Sequence, residues 1–285
     1  MELSIFEDKR QAGTAAAVEG ARLIREALAS KGHAAIVVAT GASQFDMLDR
    51  LVAEPEIDWS CVTVFHLDEY VGLPVTHPAS FRLYLWQRFI SRLPLPPAAY
   101  HFLDGQAAPK SECARVASLI QQHRIDVAFV GIGENSHLAF NDPPADFDTE
   151  APFLEVELDE GCRLQQLNEG WFPSLAQVPR QALTMSIRQI MKSDAVICTV
   201  PDARKARAVR AAFEGEVSPD APASILQKHP HVQVYLDRSA GSLLSPATTV
   251  IRRRDSSSEA HEPHSPQPNP QLKPRSAGST SMTSN

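Results

Sequence analysis

The chain has 285 residues, 43% of them hydrophobic, enough to bury a substantial core in one large domain or two small ones. A formal net charge of -7 argues against a general nucleic-acid binder, since no basic face stands out to neutralise phosphates and the one basic run is Arg252, Arg253 and Arg254. The four cysteines (Cys61, Cys113, Cys162, Cys198) are scattered without a CxxC pair, which fits neither a disulfide framework nor a zinc knuckle and suits a reducing cytosol.

Along the chain, the start "MELSIFEDKRQAG" lacks the basic opening and apolar run of a signal peptide, and no stretch is long enough to span a bilayer. A soluble, cytoplasmic protein is the expectation. "AGTAAAVEGARLIREALASKG" places Val18, Ala21, Leu23, Ile24, Ala27 and Leu28 at helical spacing, with Gly32 as the stop. Five short apolar, β-rich runs follow: "AAIVVATG", "CVTVFHLDEY", "IDVAFVGIG", "DAVICTVPD" and "VQVYLD". Segments such as "SFRLYLWQRFI" and "DARKARAVRAAFEG" between them read as helices. Buried strands alternating with helices predict a three-layer α/β/α sandwich on a mostly parallel, Rossmann-like sheet. The ordered domain is expected over residues 1–244. From Ser245 onward the chain has no Phe, Tyr or Trp and is dense in Pro and Ser, so 245–285 is expected to be a disordered tail.

Ligands of such sheets bind beyond the carboxyl ends of the strands. Four segments occupy those ends and should converge on one edge. In the first, Thr40, Gly41, Ala42 and Ser43 form a small-residue turn before a helix, whose free N–H groups would hold a phosphate. The same turn reads equally well as an ordinary one with Ser43 as N-cap. In the second, Asp68 and Glu69 are adjacent on a strand and point to opposite faces, so at most one meets a given ligand. A carboxylate among apolar neighbours is a plausible proton-transfer base, and a capping Asp beside a solvated Glu is the plainer reading. The third, "GIGENSHLAFNDPP", has glycines that permit close backbone approach, then Asn135, His137 and Asp142. Those three combine a proton-moving imidazole with groups that fix its tautomer; a helix-capping Asn and a core His are the alternative. A metal is not expected, with one His and no HxxxH pair. Nor is a serine nucleophile, since "GENSH" lacks the Gly-x-Ser-x-Gly elbow. In the fourth, Lys205 stands at the start of a helix where its charge opposes the dipole, which favours an anion there over a merely solvated lysine.

These segments, in this order, resemble the glucosamine-6-phosphate deaminase/isomerase family over about Ile36 to Asp237. "LDEYVGLPVTHPASF" and "GIGENSHLAFNDP" are similar to two extended family blocks, and "VPRQALTMSI" and "ASILQKHP" are further matches. The resemblance implies opening of an amino sugar phosphate, isomerisation through an enolamine and release of ammonia, without metal or organic cofactor. Carried over by position, Asp68 would be the base that moves a proton between C2 and C1. His137 would assist ring opening, oriented by Asn135 and Asp142. Lys205 and the Thr40–Ser43 turn would hold the phosphate, with Glu69 and Gly133 completing the substrate site. The family includes monomers and homo-oligomers. The sequence departs from its pattern at Ser136 (Gly in the family), Asp142 (Glu), Ala145 (a phosphate-binding Ser) and "EGWFPS", which lacks the family's Arg. Arg163 is one candidate replacement. Two alternatives therefore accompany the deaminase reading: a 6-phosphogluconolactonase-like hydrolase, and a non-catalytic sugar-phosphate-binding protein.

Overall fold

The computed structural model describes residues 1–249. Strand β1 (Glu2–Phe6) leads into helix α1 (Lys9–Lys31), and the chain continues through β2 (Ala34–Val38), α2 (Phe45–Leu51), β3 (Val62–His66) and β4 (Asp68–Tyr70). Next come α3 (Phe81–Arg88), β5 (Ala99–His101), α4 (Pro109–Ile120), β6 (Val127–Val130) and β7 (Phe153–Glu157). The remaining elements are α5 (Glu160–Asn168), β8 (Gln181–Met185), α6 (Ile187–Ile190), β9 (Ala195–Val200), α7 (Ala206–Glu214), β10 (Val232–Asp237) and α8 (Pro246–Thr249). Seven strands pair in parallel in the order β1-β10-β9-β6-β2-β3-β5, and β4-β8-β7 form a small antiparallel sheet.

The expected parallel sheet follows from strands buried on both faces. In β2, Ala35 and Val37 point into one core with Val116 and Ile120 of α4 and Val209 and Phe213 of α7. Ala34, Ile36 and Val38 point into the other, against α1, α2 and α3. A third cluster, around Tyr70, Phe81, Phe140 and Phe172, lies by the small sheet. Asp8 caps α1 by accepting from Gln11 N–H at 2.8 Å, and Gly32 ends it in the left-handed region at φ 75°. The buried stripe of α1 keeps Ala21, Ile24 and Ala27 of the expected one, with Leu23 and Leu28 partly buried against the same core, and extends it. It is built on Ala12, Gly13, Ala16, Ala17, Gly20, Ala21, Ile24 and Ala27, while Val18 is 42% exposed. Small residues allow this helix to sit close to the sheet, so the large aliphatics did not decide which face is inside.

Besides the edge strand β5, two features of the strand layout were not anticipated. The first is β1, and the second is the antiparallel sheet, which recruits the "DEY" segment as β4 after a break at Leu67. Among the described residues no helix is long and apolar enough to cross a membrane. Of the expected tail, residues 246–249 form a helical turn, and Ser245 N–H and the Thr248 hydroxyl both donate to Glu214. Residues 250–285, with Arg252, Arg253 and Arg254, lie outside the described residues.

The chain runs from β2 outward to β3 and β5, then returns to place β6 on the other side of β2. This reversal of direction opens a crevice beyond the carboxyl ends of β2 and β6, the position where doubly wound sheets take their ligands.

Candidate active site

A cleft occupies that crevice, and all four strand-end segments reach it: Thr40 to Ser43 after β2, Asp68 after β3, Gly131 to Gly133 with His137 after β6, and Asp202 to Lys205 after β9. Buried Gln44 fixes the first turn. Its amide donates to Ser43 Oγ at 3.1 Å and lies 3.4 Å from the carbonyls of Val130 and Thr199. Tyr84 of α3 donates its hydroxyl to Gly41 O at 2.9 Å. Ser43 makes no capping bond, so its hydroxyl remains at the cleft.

Strand alternation separates the two adjacent carboxylates as expected. Asp68 lines the cleft. Burial, followed by the neighbouring Glu69 charge, pushes its pKa up to about 8, against a hydrogen bond from the Thr40 side chain. Oδ1 of Asp68 is buried with no hydrogen-bond partner. Glu69 turns the other way, which corrects its assignment to the substrate site. Its carboxylate accepts from the N–H groups of Tyr70, Phe81 and Arg82 at 2.9–3.1 Å and from Ser80 Oγ at 2.9 Å. Arg82 Nε stands 3.4 Å away. Glu69 is thus the anchor for the start of α3, with its acceptor sites spent on that helix.

The third segment opens no helix, so a helix-capping Asn135 is ruled out; the next helix is α5, beginning at Glu160. Asn135 instead ties the loop together. Its Oδ1 accepts His137 N–H at 3.1 Å, and its Nδ2 donates to Asp142 Oδ1 and Asp159 Oδ2, both at 3.0 Å. His137 Nδ1 lies 3.1 Å from Asp142 Oδ1, poorly aligned for a linear bond. Burial acts to raise Asp142, but the His137 ring, the Asn135 amide and the Asp159 N–H outweigh it and hold the carboxyl below its usual range. The shorter Asp142 therefore still reaches the imidazole. Gly133 has a role beyond ligand approach: a Cβ there would sit 2.2 Å from His137 Cε1 and Nε2. The two further sequence matches brace this loop. Asn141 Nδ2 donates to Met185 O at 2.9 Å, Phe140 N–H to Thr184 Oγ1 at 3.0 Å, and Ala223 N–H to Ser136 O at 2.9 Å.

Ser136 does not line the cleft; its cost is conformational, with φ at 70°. A Cβ in the left-handed region costs about 1–2 kcal/mol, and glycine gives back part of that in unfolded-state entropy. Ser136→Gly should therefore raise stability by roughly 0.5–1 kcal/mol in thermal or denaturant unfolding. A loss of stability would mean that the serine side chain contributes more than its backbone costs.

Lys205 is 5% exposed, and burial lowers its pKa, against the pull of Glu169 and Glu134. No carboxylate closes an ion pair with it among the described residues. A buried lysine that closes no salt bridge, with its carboxylates only at longer range, is a poor structural element and a good anion ligand.

Five polar cleft residues were missed from the sequence: Gln165, Gln166 and Glu169 at the end of α5, and Asp202 and Arg204 beside Lys205. The α5 residues carry no motif that singles them out, and Arg204 stood in the segment read as a basic amphipathic helix. Arg204 pairs with Glu134 at 3.2 Å and lies 3.9 Å from Asp202. Arg163, the candidate replacement cation, is not in the cleft; its Nη2 donates to Leu175 O at 2.7 Å and Val178 O at 3.1 Å, stapling α5 to the following turn. In "EGWFPS" it is an acid, Glu169, that faces the cleft. Ala145 packs in the core, away from it.

The model of the glucosamine-6-phosphate isomerases/6-phosphogluconolactonase family matches residues 7–235. A glucosamine-6-phosphate deaminase of Oenococcus oeni is 34% identical over 247 residues, covering 86% of this chain and 99% of the relative. One of Bacillus pumilus is 35% identical over 249 residues, covering 85% of this chain and 100% of the relative. Among solved structures, a monomeric glucosamine-6-phosphate deaminase superposes with a TM-score of 0.78 at 32% identity, covering 85% of this chain and all of that one. A 6-phosphogluconolactonase of Trypanosoma brucei shares the fold, with a TM-score of 0.71 at 14% identity over 86% of this chain and 98% of that one. Two extended sequence blocks, the convergent strand ends and full-length similarity lead to one assignment: the chain belongs to the glucosamine-6-phosphate isomerase/6-phosphogluconolactonase family.

Proposed function

We propose that the protein is a glucosamine-6-phosphate deaminase, converting that amino sugar phosphate and water to fructose 6-phosphate and ammonia. The observation that carries this reading is the buried Asp68 side chain at the cleft, its pKa pushed up to about 8 by burial and its Oδ1 without a hydrogen-bond partner. A carbon acid such as C2 of an open-chain aldose needs a base of this kind, strong because it is desolvated.

His137 moves the proton between ring oxygen and C1 hydroxyl as the pyranose opens, its ring held by Gly133, Asn135 and Asp142. Asp68 then removes the C2 proton, giving an enolamine, and returns it to C1. Water adds to the resulting C2 imine, and ammonia leaves. Lys205, the Thr40–Ser43 turn and Arg204 bind the phosphate, with Arg204 moving from Glu134 to the ligand. It takes the place of the family arginine absent from "EGWFPS". A cytoplasmic location accords with four unpaired cysteines.

Arg204→Ala should raise KM for glucosamine 6-phosphate by about 10- to 100-fold, the worth of a charge-assisted hydrogen bond, with kcat little changed. An unaltered KM would remove Arg204 from the phosphate site. The reaction itself is tested by offering purified protein glucosamine 6-phosphate and 6-phosphogluconolactone separately. Ammonia from the first, with no acid release above background from the second, is expected. Acid from the lactone without ammonia would select the hydrolase. Thermal stabilisation by the amino sugar phosphate without product would select a binding role.

A further inference from the structure

Behind the His137 imidazole, on the side away from the cleft, lies a cluster that the deaminase reaction does not use in full. His137 Nδ1, a carboxylate oxygen of Asp142 and Cys162 Sγ all fall within 4.8 Å of one another. Asp142 is positioned by Asn135 and the Asp159 N–H, and Cys162 by the first turn of α5, where its N–H donates to the capping Asp159. His137 is 8% exposed, and its Nδ1 has no aligned hydrogen-bond partner. A buried, unsatisfied imidazole nitrogen facing a carboxylate and a thiol is a mixed N, O, S donor set of the kind that selects zinc.

We propose that His137, Asp142 and Cys162 form an inhibitory site for a zinc-class divalent cation. Tetrahedral bonds of about 2.0–2.3 Å require donor atoms about 3.3–3.7 Å apart. The His137–Asp142 pair stands at 3.1 Å and all three donors lie within 4.8 Å of one another, so closure needs the first two atoms to part slightly and the Cys162 sulfur to move toward them. A second cleft, lined by Asp142, Pro144, Leu158 and Asp159, reaches the Asp142 member of the cluster and shares none of its lining with the substrate cleft except Phe140. Water from that cleft fills the fourth position. Burial and the Asp142 and Asp159 charges hold the Cys162 thiol well above its ordinary range, so its proton leaves to solvent only as the metal takes the sulfur; no oxidant or reductant takes part. The metal occupies the Nδ1 lone pair and the Asp142 carboxylate together. This fixes the ring in one tautomer and withdraws its orienting acid, so ring opening stops.

The test uses the full chain freed of metal by a chelator and titrated with cobalt(II) alone. A thiolate-to-cobalt charge-transfer band saturating at one equivalent is expected. It should persist in a Cys61→Ser/Cys113→Ser variant and disappear in Cys162→Ala, with Cys162→Ser as the second variant should the alanine fail to fold. In turnover assays, zinc should inhibit reversibly, with a chelator restoring activity. Half-inhibition in Cys162→Ala should need about tenfold more zinc or higher, with metal-free activity retained. Absence of the band in the unaltered protein, its persistence in both Cys162 variants, or undiminished zinc sensitivity of Cys162→Ala would overturn the proposal. The inhibition arm rests on the deaminase reading, whereas the cobalt arm stands whether or not the protein turns over that substrate.

Discussion

Asp68→Asn should lower turnover of glucosamine 6-phosphate by about 10²- to 10⁴-fold, the usual contribution of a positioned general base, while making the protein more stable. The two effects have one cause. Burial raises the Asp68 pKa from 3.8 to about 8. An acid whose folded-state pKa lies above its unfolded value binds its proton more tightly in the native state. Stability is therefore full below about pH 4 and is lost as pH rises through 8, by a few kcal/mol at about 1.4 kcal/mol per unit. Asparagine removes the charge that must be buried. Melting curves of the two proteins should nearly coincide at pH 4 and differ by about 5 °C or more at pH 8, with the variant higher. In the unaltered enzyme kcat/KM should climb with pH and level off near 8, as the base ionises. A variant that is less stable at pH 8 would show that Asp68 is held by interactions other than those described.

Gly133→Ala is the second change with a large expected effect. The added methyl would lie 2.2 Å from Cε1 and Nε2 of His137, far inside van der Waals contact, so the ring or the loop must shift. The loop is pinned by the Asn135, Asn141 and Ser136 bonds, whereas the imidazole makes a misaligned contact to Asp142 and a tilted ring contact to Phe140. The ring is the part that yields. A displacement of about 1 Å at a catalytic group costs on the order of a hundredfold in rate, and that loss should fall on kcat with KM for the phosphate-anchored substrate changed little. Full activity in this variant would place the working imidazole elsewhere.

The parallel sheet was legible because strands buried on both faces leave uninterrupted apolar runs, each ending abruptly in a polar turn. That pattern also located the site, since turns at parallel strand ends must share an edge. Strand β1 was not read because its burial is partial along an edge of the sheet. Its "ELSIF" therefore shows no sustained apolar run. The small sheet is stitched from three distant segments, and β4 contributes only Asp68 to Tyr70, too few residues to show a period. From its neighbours alone Asp68 read more plainly as a capping residue; the family resemblance singled it out as the base. The role of Glu69 was not readable, because the donors that consume it are Ser80, Phe81 and Arg82, more than ten residues away. Arg204 and the α5 glutamines carry no distinguishing pattern in sequence, and only the tertiary fold, which brings the end of α5 and the turn after β9 to one cleft, shows their place. Ser136 carried a visible signal, a side chain where the family has glycine, but its consequence is a strained φ and no obstruction of the cleft.

The most direct test mixes purified protein with glucosamine 6-phosphate and follows ammonia and fructose 6-phosphate in one reaction, with Asp68→Asn in parallel. The two products should appear in equal amounts and vanish together in the variant, while the variant still binds the substrate and melts at a higher temperature at pH 8. Equal product formation by both proteins, or ammonia without fructose 6-phosphate, would contradict a mechanism in which Asp68 carries the proton from C2 to C1.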